Sequence, residues 1–163
     1  MSRVLATFFG VGLMRPAPGT WGSAVAVVLG LAIDRFLGFP ALVVATVAVT
    51  ALGFWACARV CGPGDDPSEV VIDEVAGQWL ALLFPAAAFW HRGVENWAVD
   101  AYPGWIAAFL FFRLFDIWKP WLAGRADRRH DAAGVMLDDL WAGLFAGLAV
   151  MVAAAVAHGV VMR

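Results

Sequence analysis

The sequence predicts an all-α integral membrane protein with about five transmembrane helices and a short N-terminal interfacial or re-entrant helix. Of its 163 residues, 63% are hydrophobic and only 15% are charged, whereas soluble domains carry about a quarter charged residues. The apolar residues also collect in runs, and a helix needs roughly 20 of them to cross a bilayer. Residues 1–163 are therefore expected to form a single membrane-embedded domain, without a separate soluble module.

The elements are predicted from these runs in chain order. Arg3 precedes an apolar stretch at 4–14, which is too short to span and is expected to remain in the mature protein as a half-helix. Prolines lie at or just outside the ends of the later runs, where a missing amide proton does least harm. The spans are expected at residues 22–37, 41–61, 75–89, 102–118 and 140–161.

Basic residues predict the orientation, because cytoplasmic loops of membrane proteins carry an excess of Lys and Arg. With a cytoplasmic N-terminus, the outer side holds Arg35, Arg92 and Arg163. The inner side then holds Arg3, Arg15, Arg59, Arg113, Lys119, Arg125, Arg128 and Arg129. This bias places most polar segments at the cytoplasmic face. The net charge of −2 gives no reason to expect nucleic acid, and no protein partner is predicted.

Acidic residues gather at the inner ends of three predicted spans. Asp73 and Glu74 lead into the third, Asp116 lies at the end of the fourth, and Asp138 and Asp139 open the fifth. Acids at helix starts can simply favour the helix dipole, but so many on one face would repel each other without cations. Hard oxygen ligands suit Mg²⁺. All five are therefore candidate catalytic residues and magnesium ligands.

A short internal repeat relates two of these acids. Residues 73–77 and 139–143 share the pattern D-x-x-A-G. In each copy the glycine lies one helical turn from the acid and on the same face. Glycines at such positions allow membrane helices to approach closely, which would bring Asp73 and Asp139 together.

Candidate substrate-binding residues lie on the fourth span and before the first. Arg113, Asp116 and Lys119 recur every three residues and are expected to form one polar edge of a helix. The two cations would bind a phosphate group, or else merely neutralise the acids. In residues 16–23, Thr20 or Ser23 can cap the first span, where exposed amides would suit an anion, although capping alone needs no ligand.

Four motifs carry a resemblance to a known family. They are PGTWGS at 18–23, DPSEVVIDEVAG at 66–77, FRLFDIWKPW at 112–121 and DDLWAG at 138–143. In this order and spacing they resemble the phosphatidylglycerophosphatase A family over nearly the whole chain. The resemblance implies a magnesium-dependent enzyme of the bacterial inner membrane that converts phosphatidylglycerophosphate to phosphatidylglycerol at the cytoplasmic face. By their positions in the motifs, the resemblance implies that the functional residues are Thr20, Ser23, Asp66, Asp73, Glu74, Arg113, Asp116, Lys119, Asp138 and Asp139.

The mechanistic hypothesis is metal-assisted hydrolysis of a lipid phosphate. Asp73, Asp138 and Asp139, with Glu74 or Asp116, would hold one or two magnesium ions, and an activated water would attack phosphorus. A covalent aspartyl intermediate stays open as a second route. The functional alternative is a carboxylate-lined ion or proton transporter. Against it, the acids sit at one interface and do not continue through the membrane.

Overall fold

The computed structural model describes residues 1–62, 67–94, 96–100 and 102–161, and the chain forms helices and no strand within them. A 3₁₀ turn at Val11–Leu13 separates the first two helices. The α-helices are α1 (Ser2–Ala6), α2 (Pro18–Leu37), α3 (Phe39–Val60), α4 (Ile72–His91), α5 (Trp97–Asp100), α6 (Pro103–Trp118), α7 (Leu122–Asp127) and α8 (Ala132–Val161). The predicted all-α class is confirmed.

Within the part of the chain that the structure describes, three helices are long and apolar enough to cross a membrane. They are α2, α3 and the part of α8 from Ala132 to Gly159. The helices α4 and α6 occupy the positions of the third and fourth predicted spans, but the count of five spans is not confirmed. The first turn of α4 carries two acids, and α6 has 16 residues, which at 1.5 Å per residue gives a length of about 24 Å.

The central helix of the bundle is α4, which packs against α2, α3, α6 and α8. Its Val75, Ala76 and Leu82 are fully buried. By contrast, α2, α3 and α8 leave large apolar side chains exposed, among them Val28, Val44 and Val152. Apolar outer faces around a buried central helix are what contact with lipid requires.

The predicted half-helix at 4–14 is broken in the structure. Phe8, Phe9 and Gly10 have positive φ values, so α1 ends at Ala6 and the 3₁₀ turn follows. The backbone N–H of Val71 donates to the carbonyl of Ala6 at 2.9 Å. The N-terminal segment therefore holds the chain directly before the acids of α4.

The helices α2 and α8 begin earlier than the hydropathy predicts, by larger margins than α3 and α4. The helix α2 begins at Pro18, with Ala17 as its N-cap and no side-chain cap, so the expectation that Thr20 or Ser23 caps it is wrong. The helix α8 begins at Ala132, where Asp131 Oδ1 accepts a hydrogen bond of 2.6 Å from the Gly134 N–H. Asp138 and Asp139 consequently lie in the second turn of α8, where helix capping cannot account for them.

Candidate active site

Four helices meet at one end of the bundle. The first turns of α2 and α4 are in contact there, since a Cβ added at Gly19 would overlap the Glu74 carboxylate. The end of α6 and the second turn of α8 are joined by an ion pair of 2.7 Å between Lys119 Nζ and Asp138 Oδ2. The predicted convergence of the polar segments is therefore seen in the described residues.

Three carboxylates form the centre of this end, and we call Asp73, Glu74 and Asp139 the carboxylate cluster. One oxygen from each lies within 4.8 Å of the others. Asp73 is 7% exposed and Asp139 is 3% exposed. The cluster thus joins acids from α4 and α8 at a shielded position.

The paired glycines of the sequence repeat bring the two helices together. A Cβ added at Gly143 would overlap the backbone of Gly77, and one added at Gly77 would overlap the Asp139 carbonyl and approach the Phe112 ring to 2.6 Å. The predicted close approach is confirmed. Backbone-to-backbone contact at this level sets the separation of Asp73 and Asp139 one turn away.

Arg113 lies beside the cluster on α6. Its Nη1 forms an ion pair with Asp116 and a hydrogen bond of 3.4 Å to Ser23 Oγ, while the Ser23 hydroxyl donates to the Gly19 carbonyl at 2.8 Å. Ser23 is fully buried, so in this arrangement it positions Arg113.

Lys119 departs from the predicted polar edge. The helix α6 ends at Trp118, and Lys119 has φ 50 in the left-handed region, so its side chain leaves the row of Arg113 and Asp116. It pairs instead with Asp138 and Asp127. Partial burial disfavours the ammonium, but the hydrogen bonds to these carboxylates outweigh it and raise the pKa of Lys119. Lys119 is therefore a permanent cation at neutral pH.

The basic residues near the carboxylate cluster form salt bridges with other acids. Arg113 pairs with Asp116 and Lys119 with Asp138, whereas within the described ranges no salt bridge reaches Asp73, Glu74 or Asp139. Glu74 Oε2 is buried without a hydrogen-bond partner. Magnesium binds oxygens at about 2.1 Å in an octahedron, which puts opposite ligands about 4.2 Å apart. Three oxygens within 4.8 Å of one another come close to that spacing, so Asp73, Glu74 and Asp139 are the residues that would hold such a cation.

The other residues predicted for the site are not part of the carboxylate cluster. Thr20 is exposed in the first turn of α2, next to Gly19. Asp66 falls outside the described residues. Sequence reasoning missed Asp127 as a partner of Lys119, and it missed Gln78, which is fully buried one turn beyond Glu74. An isolated amide within an apolar helix was a signal that could have identified Gln78.

Comparison with known proteins finds relatives that match most of the chain. The chain is 37% identical over 157 residues (92% of this chain, 91% of the relative) to a protein of Bacteroides thetaiotaomicron named "Putative phosphatidylinositol-3-phosphatase". It is 32% identical to the Phosphatidylglycerophosphatase A of Haemophilus influenzae over 151 residues (90% and 85%). The same identity relates it to the Phosphatidylglycerophosphatase A of Escherichia coli over 146 residues (86% and 76%).

No solved structure matches the chain. The family model described as Phosphatidylglycerophosphatase A matches residues 4–154, a stretch that contains all of the site residues placed above. The chain therefore belongs to the phosphatidylglycerophosphatase A family.

Proposed function

We propose that this protein hydrolyses the terminal phosphate monoester of phosphatidylglycerophosphate, giving phosphatidylglycerol and phosphate, and that it requires magnesium. The observation that carries the proposal is a cluster of three carboxylates that no salt bridge among the described residues reaches, with Arg113 and Lys119 on neighbouring parts of the fold. To bind a phosphate monoester through a divalent cation, a site needs acidic side chains that hold the cation and basic side chains that contact the phosphate. The two relatives named Phosphatidylglycerophosphatase A support the choice of lipid.

The carboxylate cluster would hold the cation, with Asp73 and Asp139 contributed by different helices. When bound, the cation would polarise a phosphoryl oxygen and lower the pKa of a water. The residues of the chain supply the rest. Asp138 accepts a hydrogen bond of 2.9 Å from the Asp139 N–H, and Asp73 accepts one of 3.0 Å from the Glu74 N–H. These bonds fix the orientation of the acids before substrate arrives.

Arg113 would stabilise charge on the transferred phosphoryl group. Its guanidinium is held between Asp116 and Ser23 and lies beside the Gly19 backbone, 3.4 Å from where a Cβ would be. A preorganised fork of N–H donors acts most strongly where water is excluded. Lys119, fixed by Asp127 and Asp138, would add a second positive charge at the edge of the site.

The protein would work as a multi-pass enzyme of the bacterial inner membrane, with α4 and α6 also crossing the bilayer. The basic residues of the chain favour a cytoplasmic position for the end that bears the cluster. Acyl chains could then lie against the exposed apolar faces of α2, α3 and α8. This would place the phosphate of the lipid at the interface, level with the acids.

Magnesium removal provides the first test. Purified protein in detergent would be assayed for phosphate release from phosphatidylglycerophosphate, phosphatidylinositol 3-phosphate and phosphatidic acid. We expect release from phosphatidylglycerophosphate to fall to background after chelation with EDTA and to return when Mg²⁺ is added. The second lipid tests the activity that names the Bacteroides relative. Folded protein that releases phosphate equally well in EDTA would contradict the magnesium requirement.

The Arg113→Lys substitution should lower kcat/KM by about a hundredfold. The contacts to Asp116 and Ser23 both use Nη1, so a second guanidinium nitrogen can bind the phosphate, whereas lysine has only one nitrogen for both tasks. The measurement is initial rate against surface concentration of lipid. Arg129→Lys is the matched control, since Arg129 is 51% exposed in its pair with Asp131, and it should stay within about twofold of wild type. Equal rates for the two variants would remove Arg113 from the proposed mechanism.

A further inference from the structure

Buried polar atoms without hydrogen-bond partners lie on one face of α4. Among the described residues they are Glu74 Oε2 and both Gln78 carboxamide atoms, Oε1 and Nε2. Gln78 is fully buried. Glu74 and Gln78 are four residues apart on one helix, so their side chains lie on the same face and are neighbours. Neighbouring polar atoms without hydrogen-bond partners suggest that a polar group of a bound ligand pairs with them.

Other buried polar side chains near Gln78 form hydrogen bonds within the protein. Trp79 Nε1, one residue along α4, donates to the Ala26 carbonyl at 2.7 Å. The Ser23 hydroxyl, which is equally buried, is bonded to Gly19 and Arg113. A buried polar group without a partner is costly, and nearly all such groups in native proteins are paired. Gln78 is therefore an exception that invites a functional explanation.

We propose that the Gln78 carboxamide binds a hydroxyl of the substrate, on the carbon next to the one that bears the phosphate. This inference rests on the proposed function. A carboxamide can accept a hydrogen bond from a hydroxyl and donate one to it, so a single hydroxyl could satisfy both amide atoms of Gln78. The head group of phosphatidylglycerophosphate carries such a hydroxyl, and phosphatidic acid has none.

The spacing along α4 fits this assignment. One helical turn, about 5.4 Å, separates Gln78 from Glu74. A phosphate held at the carboxylate cluster would carry its adjacent carbons towards the next turn of the same helix face. Gln78 would then act as a specificity residue that selects hydroxylated head groups, because a site built to hydrogen-bond a hydroxyl rejects analogues without it.

The experiment compares three lipids and two variants. Wild type, Gln78→Met and Gln78→Leu would be assayed in the presence of magnesium with three lipids. These are phosphatidylglycerophosphate, an analogue in which 1,3-propanediol replaces the head-group glycerol and so lacks the hydroxyl, and phosphatidic acid. We expect wild type to prefer the hydroxylated lipid over the propanediol analogue by at least about tenfold in kcat/KM. Both variants should lose this preference by slowing on the hydroxylated lipid alone.

Thermal unfolding in detergent accompanies the kinetics. Replacing an unpaired buried amide with an apolar side chain of similar volume should leave the melting temperature unchanged or raise it. An unchanged preference in both variants, whatever their overall rates, would overturn the assignment while phosphate release by wild type still supports the phosphatase. Absence of release by wild type from all three lipids would overturn the proposed function and the role of Gln78 together.

Discussion

Replacement of Asp139 by asparagine is expected to reduce phosphate release by at least about a hundredfold to a thousandfold without unfolding the protein. Asparagine has nearly the same shape as aspartate, and Asp139 is 3% exposed in the carboxylate cluster. The substitution removes one negative charge and one strong cation ligand. It should also raise thermal stability in the absence of divalent cations, because an uncharged side chain replaces one of three clustered carboxyl groups.

Two measurements separate this effect from general damage. Thermal unfolding with increasing Mg²⁺ should raise the melting temperature of wild type, since a cation that binds only the folded state stabilises it, and should raise that of Asp139→Asn far less. Asp131→Asn is the matched control because Asp131 caps the start of α8 and its side chain is 46% exposed, and it is not part of the carboxylate cluster. If Asp139→Asn hydrolyses the lipid within a few-fold of wild type, the cluster is not the catalytic metal site.

Sequence patterns predicted the site best where the signal was local and periodic. The repeat in residues 73–77 and 139–143 needed only helical spacing and the size of glycine to predict that α4 and α8 meet. The structure confirms that contact in the backbone overlap that a Cβ at Gly143 would cause. The gathering of Asp73, Glu74 and Asp139 follows from it.

Prediction failed where a side chain or a chain reversal decided the geometry. Lys119 and Trp121 both adopt positive φ around Pro120, a conformation that residue propensities do not predict for such side chains. Extending the helical spacing from Arg113 to Lys119 therefore placed Lys119 on the polar edge of α6, whereas its side chain pairs with Asp138 and Asp127. The reversal leads into α7, which supplies Asp127 to Lys119, and hydropathy gave no signal for a helix of 6 residues.

Helix boundaries show a related limit. Hydropathy locates the apolar part of a helix, and α8 extends six residues before Asp138 because Asp131 caps it and the intervening residues are compatible with a helix. The consequence matters for function. Asp138 and Asp139 lie too far from the first amides of α8 to be explained by capping. Asp138 instead pairs with Lys119, and for Asp139 we propose cation binding.

The Gly143→Ala substitution should impair folding and activity together, because it acts on the contact that sets the separation of the acids. The added Cβ would overlap the backbone of Gly77, and backbone cannot rotate away as a side chain can. Overpacking of this kind costs about 1–3 kcal/mol of stability. A displacement of the order of 1 Å between α4 and α8 would lower the rate by about a hundredfold, since Asp73 and Asp139 lie on different helices.

Gly159→Ala provides the control within the same helix. Nothing lies within 4 Å of a Cβ at Gly159, so alanine there should be neutral or raise stability by up to about 1 kcal/mol through helix propensity. Melting temperature, Mg²⁺-induced stabilisation and phosphate release would be measured for both variants. If Gly143→Ala matches Gly159→Ala in all three, the two helices do not meet at Gly77 and Gly143. Loss of Mg²⁺-induced stabilisation at a preserved melting temperature would instead show that this contact serves mainly to position the acids.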